Sequence, residues 1–149
     1  LMATAWRVYD AGKIAIGADS NLSTGSYKMA LMAGTYSPDL AGQATFTAIV
    51  GDEAPSTDNG YTAGGNALAD IDWQVSAGTA KWDATDASWT QAGAQDLVST
   101  YAVIYDTASD ALICYTDFGS EQTVVGGTGA MFFVQFAANG IIAMSGGTA

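Results

Sequence analysis

The sequence predicts a mainly β fold, a single-domain antiparallel sandwich or barrel-like module with one or two short helices spanning residues 1–149. Three observations predict it. After residue 68, short aromatic strands recur at a spacing of about ten residues, which suits an antiparallel sandwich or barrel. They are punctuated by Gly, Asp and Asn, the residues that tolerate tight turns. One stretch, Asp58-Asn59-Gly60-Tyr61-Thr62-Ala63-Gly64-Gly65-Asn66-Ala67-Leu68, divides these strands from an Ala-rich, helix-capable first part. Its Asn-Gly and Gly-Gly pairs accept positive φ, so Gly60, Gly64 and Gly65 read as structural turn residues, with Tyr61 anchoring the loop to a core.

In chain order, residues 5–17 space their apolar residues helically, with Trp6, Tyr9 and Lys13 on one side and Val8, Ala11 and Ala15 on another. The spacing predicts a short helix ending at Gly17. A turn at Asp19-Ser20-Asn21 follows, then a weakly alternating strand over 26–32 closed by Gly34. Tyr36-Ser37-Pro38-Asp39 forms a turn or helix start. Residues 39–50 read two ways: a helix with Leu40, Ala44, Thr47 and Ala48 inward, or a strand through Thr45, Phe46, Thr47, Ile49 and Val50. The acidic stretch 51–60, with Pro55, reads as a surface loop. Residues 69–75 alternate cleanly, placing Ile71, Trp73 and Val75 on one face. Short strands follow at 79–83 and 86–90, and a hairpin joins 101–105 to 111–115 across Asp106–Asp110. A weaker strand at 123–125, an apolar run at 131–136 and a last strand at 140–144 complete the pattern.

Composition excludes several functions. The net charge is −11, and Arg7, Lys13 and Lys28 are the only cations besides Lys81. Such a chain offers no basic patch for nucleic acid and nothing to attract an anionic membrane. No run approaches the roughly 18 apolar residues of a membrane-spanning helix, and the opening Leu1–Trp6 lacks the ordered regions of a signal peptide. There is no His, which removes the commonest general base and metal ligand, and with them a serine triad. Cys114, the single cysteine, lies in an apolar run and reads as a buried, inert thiol.

Carboxylate chemistry remains. Fifteen acids make a glycosidase-like pair uninformative, because some pair will always fall within reach. Oxygen ligands for calcium could converge from Asp58 and Asn59, Asp83 and Asp86, or Asp106 and Asp110. None has graded EF-hand spacing, and solvated turn carboxylates are the better reading. Gly64-Gly65 and Gly126-Gly127-Thr128-Gly129 lack the Lys of a phosphate loop and read as tight turns. Trp73, Trp82, Trp89, Tyr61 and Tyr101 could line a sugar-binding face, but alternating strand aromatics more often fill a β core. No catalytic, cofactor or metal site is assigned.

Gly60-Tyr61-Thr62-Ala63-Gly64-Gly65, Lys81-Trp82-Asp83, Ser88-Trp89-Thr90, the 101–106 and 112–119 strands and the closing Asn139-Gly140-Ile141 resemble small virion structural proteins of tailed bacteriophages. The opening agrees, with Tyr27-Lys28-Met29-Ala30-Leu31-Met32 followed by Tyr36-Ser37-Pro38-Asp39. The resemblance implies a non-enzymatic virion protein without cofactors, most simply a head decoration (cement) protein held by the major capsid protein or other virion proteins. A tail- or fibre-associated subunit is the alternative within the virion, and a secreted carbohydrate-binding or adhesin module the alternative outside it. A homo-oligomer, such as a trimer, stays open. The charge asymmetry adds Arg7, Lys13 and Lys28 as expected contacts to an acidic lattice.

Overall fold

The fold is seen in a computed structural model that describes residue 1 and residues 5–18 and 20–146. In chain order the described residues form β1 (Arg7–Val8), α1 (Asp10–Ala18), β2 (Tyr27–Met32), α2 (Phe46–Ile49) with a 3-10 turn at Val50–Asp52, β3 (Asn66–Ala67) and β4 (Asp72–Ser76). These are followed by β5 (Thr79–Asp83), β6 (Ala87–Thr90), β7 (Leu97–Asp106), β8 (Leu112–Val124), β9 (Met131–Val134) and β10 (Ile142–Ser145). The protein is mainly β, and its sheets are antiparallel.

The β7–β8 hairpin is the centre of a five-stranded sheet ordered β1-β8-β7-β2-β3. In β2, the Ala102–Tyr105 part of β7 and the Leu112–Tyr115 part of β8 the residues are mostly apolar on both sides, because both faces of the sheet are covered there. On one face Met29, Leu31, Ile104 and Cys114 pack with Trp82, Trp89, Phe132, Val134 and Ile141. Those partners come largely from two smaller sheets, β10-β5-β4 and β6-β9. On the other face Ala30, Met32, Val103, Tyr105 and Leu112 lie with Tyr9, Tyr36, Phe46 and Ile49. The weak alternation of β2 follows directly, since a strand buried on both faces needs no polar side. Trp82 is fully buried, and its indole Nε1 donates to Leu22 O at 2.9 Å, so its one polar atom costs little.

The structure changes several expectations. The 5–17 helix begins only at Asp10, because Arg7 and Val8 pair with Tyr115 and Cys114 as an edge strand. There the backbone gains ladder hydrogen bonds that an isolated first helical turn lacks. The helix then packs against β8 through Gly12, where a Cβ would stand 2.4 Å from Ile113 O. Within 39–50 neither expected form extends through the segment: one helical turn forms, with Phe46 and Ile49 buried and Ala44, Thr47 and Ala48 exposed. Phe46 stacks on Tyr105 with centroids 4.1 Å apart, a contact worth about 1 kcal/mol beyond area burial. That contact outweighs the periodicity. The hairpin forms where expected but runs much longer, and the 123–125 strand is the end of β8, Leu97 and Val98 pairing with Val124 and Thr123. Val75 is exposed although it shares a strand face with Trp73, because the β4–β5 ribbon extends past the core. The expected turn at 19–21 begins at Asp19, outside the described residues, as do Met2, Ala3 and Thr4 of the opening stretch.

Candidate functional site

The dividing stretch folds into a clamp. Gly60, Gly64 and Gly65 take φ of +84°, +85° and +75°. Two of them are also points of close approach: a Cβ on Gly60 would lie 2.1 Å from Thr90 O, and one on Gly65 1.9 Å from Met29 O. The Tyr61 hydroxyl donates to Glu53 Oε1 at 2.5 Å and accepts the Leu31 amide at 3.0 Å. Glu53 Oε1 also accepts the Gly64 amide at 2.6 Å, and Tyr105 Oη donates to Gly64 O at 2.8 Å. The stretch is thereby fastened to β2, β7 and the 3-10 turn. Burial, then the hydrogen bond to Glu53, pushes the Tyr61 phenol well above its ordinary range. It stays protonated as a structural donor, with both its hydrogen-bonding roles engaged.

A second polar group fastens three loops at one end of the molecule. Buried Asn59 donates to Pro55 O at 2.8 Å and to Asp96 O at 3.3 Å, while its Oδ1 accepts the Tyr61 amide at 3.0 Å. Buried Gln91 donates to Gly93 O and Gln95 O and accepts the Gly129 amide. Asp58 accepts the Ala94 amide and Asp96 the Gly126 amide. An open groove of about 640 Å³ lies here, lined by Pro55, Thr57, Asp58, Asn59 and Asp96 among others. Its carboxylates and amide already hold the loops. Sequence reading missed Glu53 and Gln91, whose partners are close only in three dimensions; Asn59, beside Gly60, carried a signal as a turn former.

The other candidate ligands take similar roles. Asp106 accepts from Ser20 Oγ at 2.6 Å and from the Ala108 amide at 2.8 Å. Asp110 accepts the Thr47 amide, Asp86 the Phe136 amide, and Asp83 the Ala84 amide and Lys81 Nζ. Gly126, Gly127 and Gly129 turn the chain between β8 and β9, with positive φ at Gly127 and Gly129. Cys114 is buried, and desolvation raises its thiol well above the usual value. Of the five aromatics that could form a sugar platform, Trp82, Trp89 and Tyr61 are buried in the core. Tyr101 packs edge-on against Tyr36, and Trp73 lines an open groove, of about 460 Å³, with Ile16, Asn21 and Ser23.

The three cations fall on separate elements. Arg7 is exposed on edge strand β1, and Lys13 is exposed on α1, paired with Asp10 at 2.8 Å. Lys28 is half-buried in β2, with two strands between it and β1. Arg7, opposite Tyr115, and Lys28, opposite Tyr105, share a sheet face, but β8 and β7 lie between them. No protein-family model matches the chain, and no curated protein or solved structure matches it either.

Proposed function

We propose that this chain is a non-enzymatic structural protein of a tailed-bacteriophage virion, a decoration protein bound to the head lattice. The observation that carries the reading is where the family-like residues lie. The 60–65 stretch, β5, β6 and the β7–β8 hairpin are turn and core, and Tyr61, Trp82, Trp89 and Tyr105 serve the fold with their polar atoms or rings. The resemblance therefore rests on a scaffold, as in a protein whose work is to occupy a surface. Such a subunit binds by many weak contacts, and lattice multiplicity turns modest affinity into durable attachment.

Arg7 and Lys13 are the exposed cations placed toward an acidic capsid surface in this reading. Lys28 contributes less, being half-buried. The test is occupancy on purified particles, by mass spectrometry or cryo-EM. Hundreds of copies per particle are expected for the wild-type chain, falling markedly in the Arg7→Glu/Lys13→Glu variant. A handful of copies would move the protein to a tail tip or fibre, and absence from particles would overturn the virion reading. Undiminished occupancy of the variant would remove the cations from the contact.

A further inference from the structure

The three-stranded sheet β10-β5-β4 ends on β4, which pairs only with β5 among the described residues. Of the strands that end a sheet it is the longest, five residues against two in β1 and β3 and four in β6, β9 and β10. A two-residue turn at Ala77 and Gly78 closes the hairpin, with Ser76 opposite Thr79. In such a hairpin Ser76, Gln74 and Asp72 exchange hydrogen bonds with β5, so the N–H and C=O groups of Trp73 and Val75 point away from it. Natural sheets blunt an exposed edge with Lys, Pro or a bulge. The β4 residues Asp72-Trp73-Gln74-Val75-Ser76 include none of these, and their ladder with β5 runs unbroken. Val75, on this open edge, is 71% exposed on the face it shares with Trp73.

We infer that β4 pairs edge to edge, antiparallel, with β4 of a second copy, joining two three-stranded sheets into one. A two-fold contact sets each residue against a different one, except on the axis itself. With the axis at Gln74, Trp73 meets Val75 of the copy and Asp72 meets Ser76. Trp73 and Val75 then exchange the N–H and C=O groups that β4 leaves open, the hydrogen bonding of strand addition. Exposed Val75 is covered by an indole, a favourable aromatic–β-branched pair. Gln74 meets its own copy, and its amide carries both donor and acceptor. The acids do not oppose this register. The two Asp72 residues stand four positions apart along the paired strands, about 13 Å, beyond the screening length of about 8 Å. Of the bordering charges, Asp70 falls toward Gly78 of the copy, and Asp83 pairs with Lys81 on β5 at 3.2 Å. No other centre in β4 serves. One on Asp72 sets two carboxylates face to face. One on Trp73 draws in Asp70, and one on Val75 or Ser76 draws in Ala77, where φ of +51° and +50° breaks the strand.

Sedimentation velocity of the full chain over a concentration series tests this, and the wild type is expected at twice the chain mass. The Val75 N–H faces away from β5, so Val75→Pro removes no bond within the chain. It should weaken association by about tenfold or more, because symmetry removes its outward bond twice. Ser76→Lys sets an ammonium opposite Asp72 of the copy, again twice, and should tighten association about fivefold at low salt. Ser145→Lys, the same charge change on exposed β10 at the other edge of the sheet, should not. Circular dichroism checks that the variants fold. If Val75→Pro does not, hydrogen exchange of the wild type at low and high concentration decides, with the Trp73 and Val75 amides gaining protection on association. A wild-type chain that stays single overturns the proposal. So does association that Val75→Pro leaves intact, that the two lysine variants change equally, or that protects other amides instead.

Discussion

Gly65 and Gly127 share φ near +75° but differ in surroundings. A Cβ on Gly65 would lie 1.9 Å from Met29 O, whereas nothing stands within 4 Å of one on Gly127. Gly127→Ala should cost only the left-handed backbone penalty, about 1–2 kcal/mol. Gly65→Ala must also push β3 off β2, and a loss above about 4 kcal/mol or failure to fold is expected. Urea denaturation of both variants measures the difference; equal losses would mean that close approach is not what selects glycine at 65. The residue scale was half legible. Asn-Gly and Gly-Gly announced a tight turn, but Glu53 sat in a segment read as a solvated acidic loop. Its engagement by Tyr61 and Gly64 depends on how the chain returns across β2, which no local pattern encodes.

At the scale of elements, the β4–β5 turn offers a different test. Ala77 and Gly78 both take positive φ, +50° and +79°, as in a type I′ hairpin turn. Alanine is ill suited there, whereas asparagine tolerates the left-handed region. Ala77→Asn should stabilise the protein by about 1 kcal/mol, seen as a raised thermal midpoint, because β5 carries fully buried Trp82. An unchanged or lowered midpoint would mean that the ribbon melts independently of the core. Elements with dense apolar residues, such as β5 and the centre of the β7–β8 hairpin, were readable from sequence. The hairpin's outer length was not. Between Asp117 and Gln122 the ladder shifts register, and Gly119, at positive φ, and Glu121 have low strand preference on their own. Gln122, Thr123 and Val124 are strand because Ser99, Val98 and Leu97 of β7 pair with them.

For the whole molecule, buried tyrosines set an alkaline limit. Burial, followed by the charge of Asp106, pushes Tyr27 up to about 12. Burial also pushes Tyr36 up to about 12, although the hydrogen bond from Tyr9 partly offsets it. Tyr9 and Tyr61 are raised further, chiefly by desolvation, and Tyr105 is raised as well. An unfolded tyrosine ionises near 10. Below that pH both states hold the proton and the stabilisation is complete. Above it the unfolded chain loses protons that the native state keeps, so stability falls as pH rises toward about 12. Thermal melts taken from about pH 8 to about pH 11 should show a midpoint declining above about 10. A flat profile, with tyrosine absorbance titrating near the ordinary value in the folded protein, would contradict the burial of these phenols.

The sequence by itself determined the class of fold, the places of the tight turns and the charge character of each region. These follow from local terms: glycine at positive φ, aromatic alternation, and the distribution of acids. Tertiary structure alone decided that Arg7 and Val8 are strand, that Phe46 anchors a single helical turn, and that Glu53, Asn59 and Gln91 stitch loops together. It also decided that Trp82 and Trp89 are core while Met131 and Phe133 face outward. The reason is that period-two alternation says which side chains share a face and leaves open which face is covered. On β9 that choice rests on β6 and the five-stranded sheet, elements brought beside it only when the chain closes.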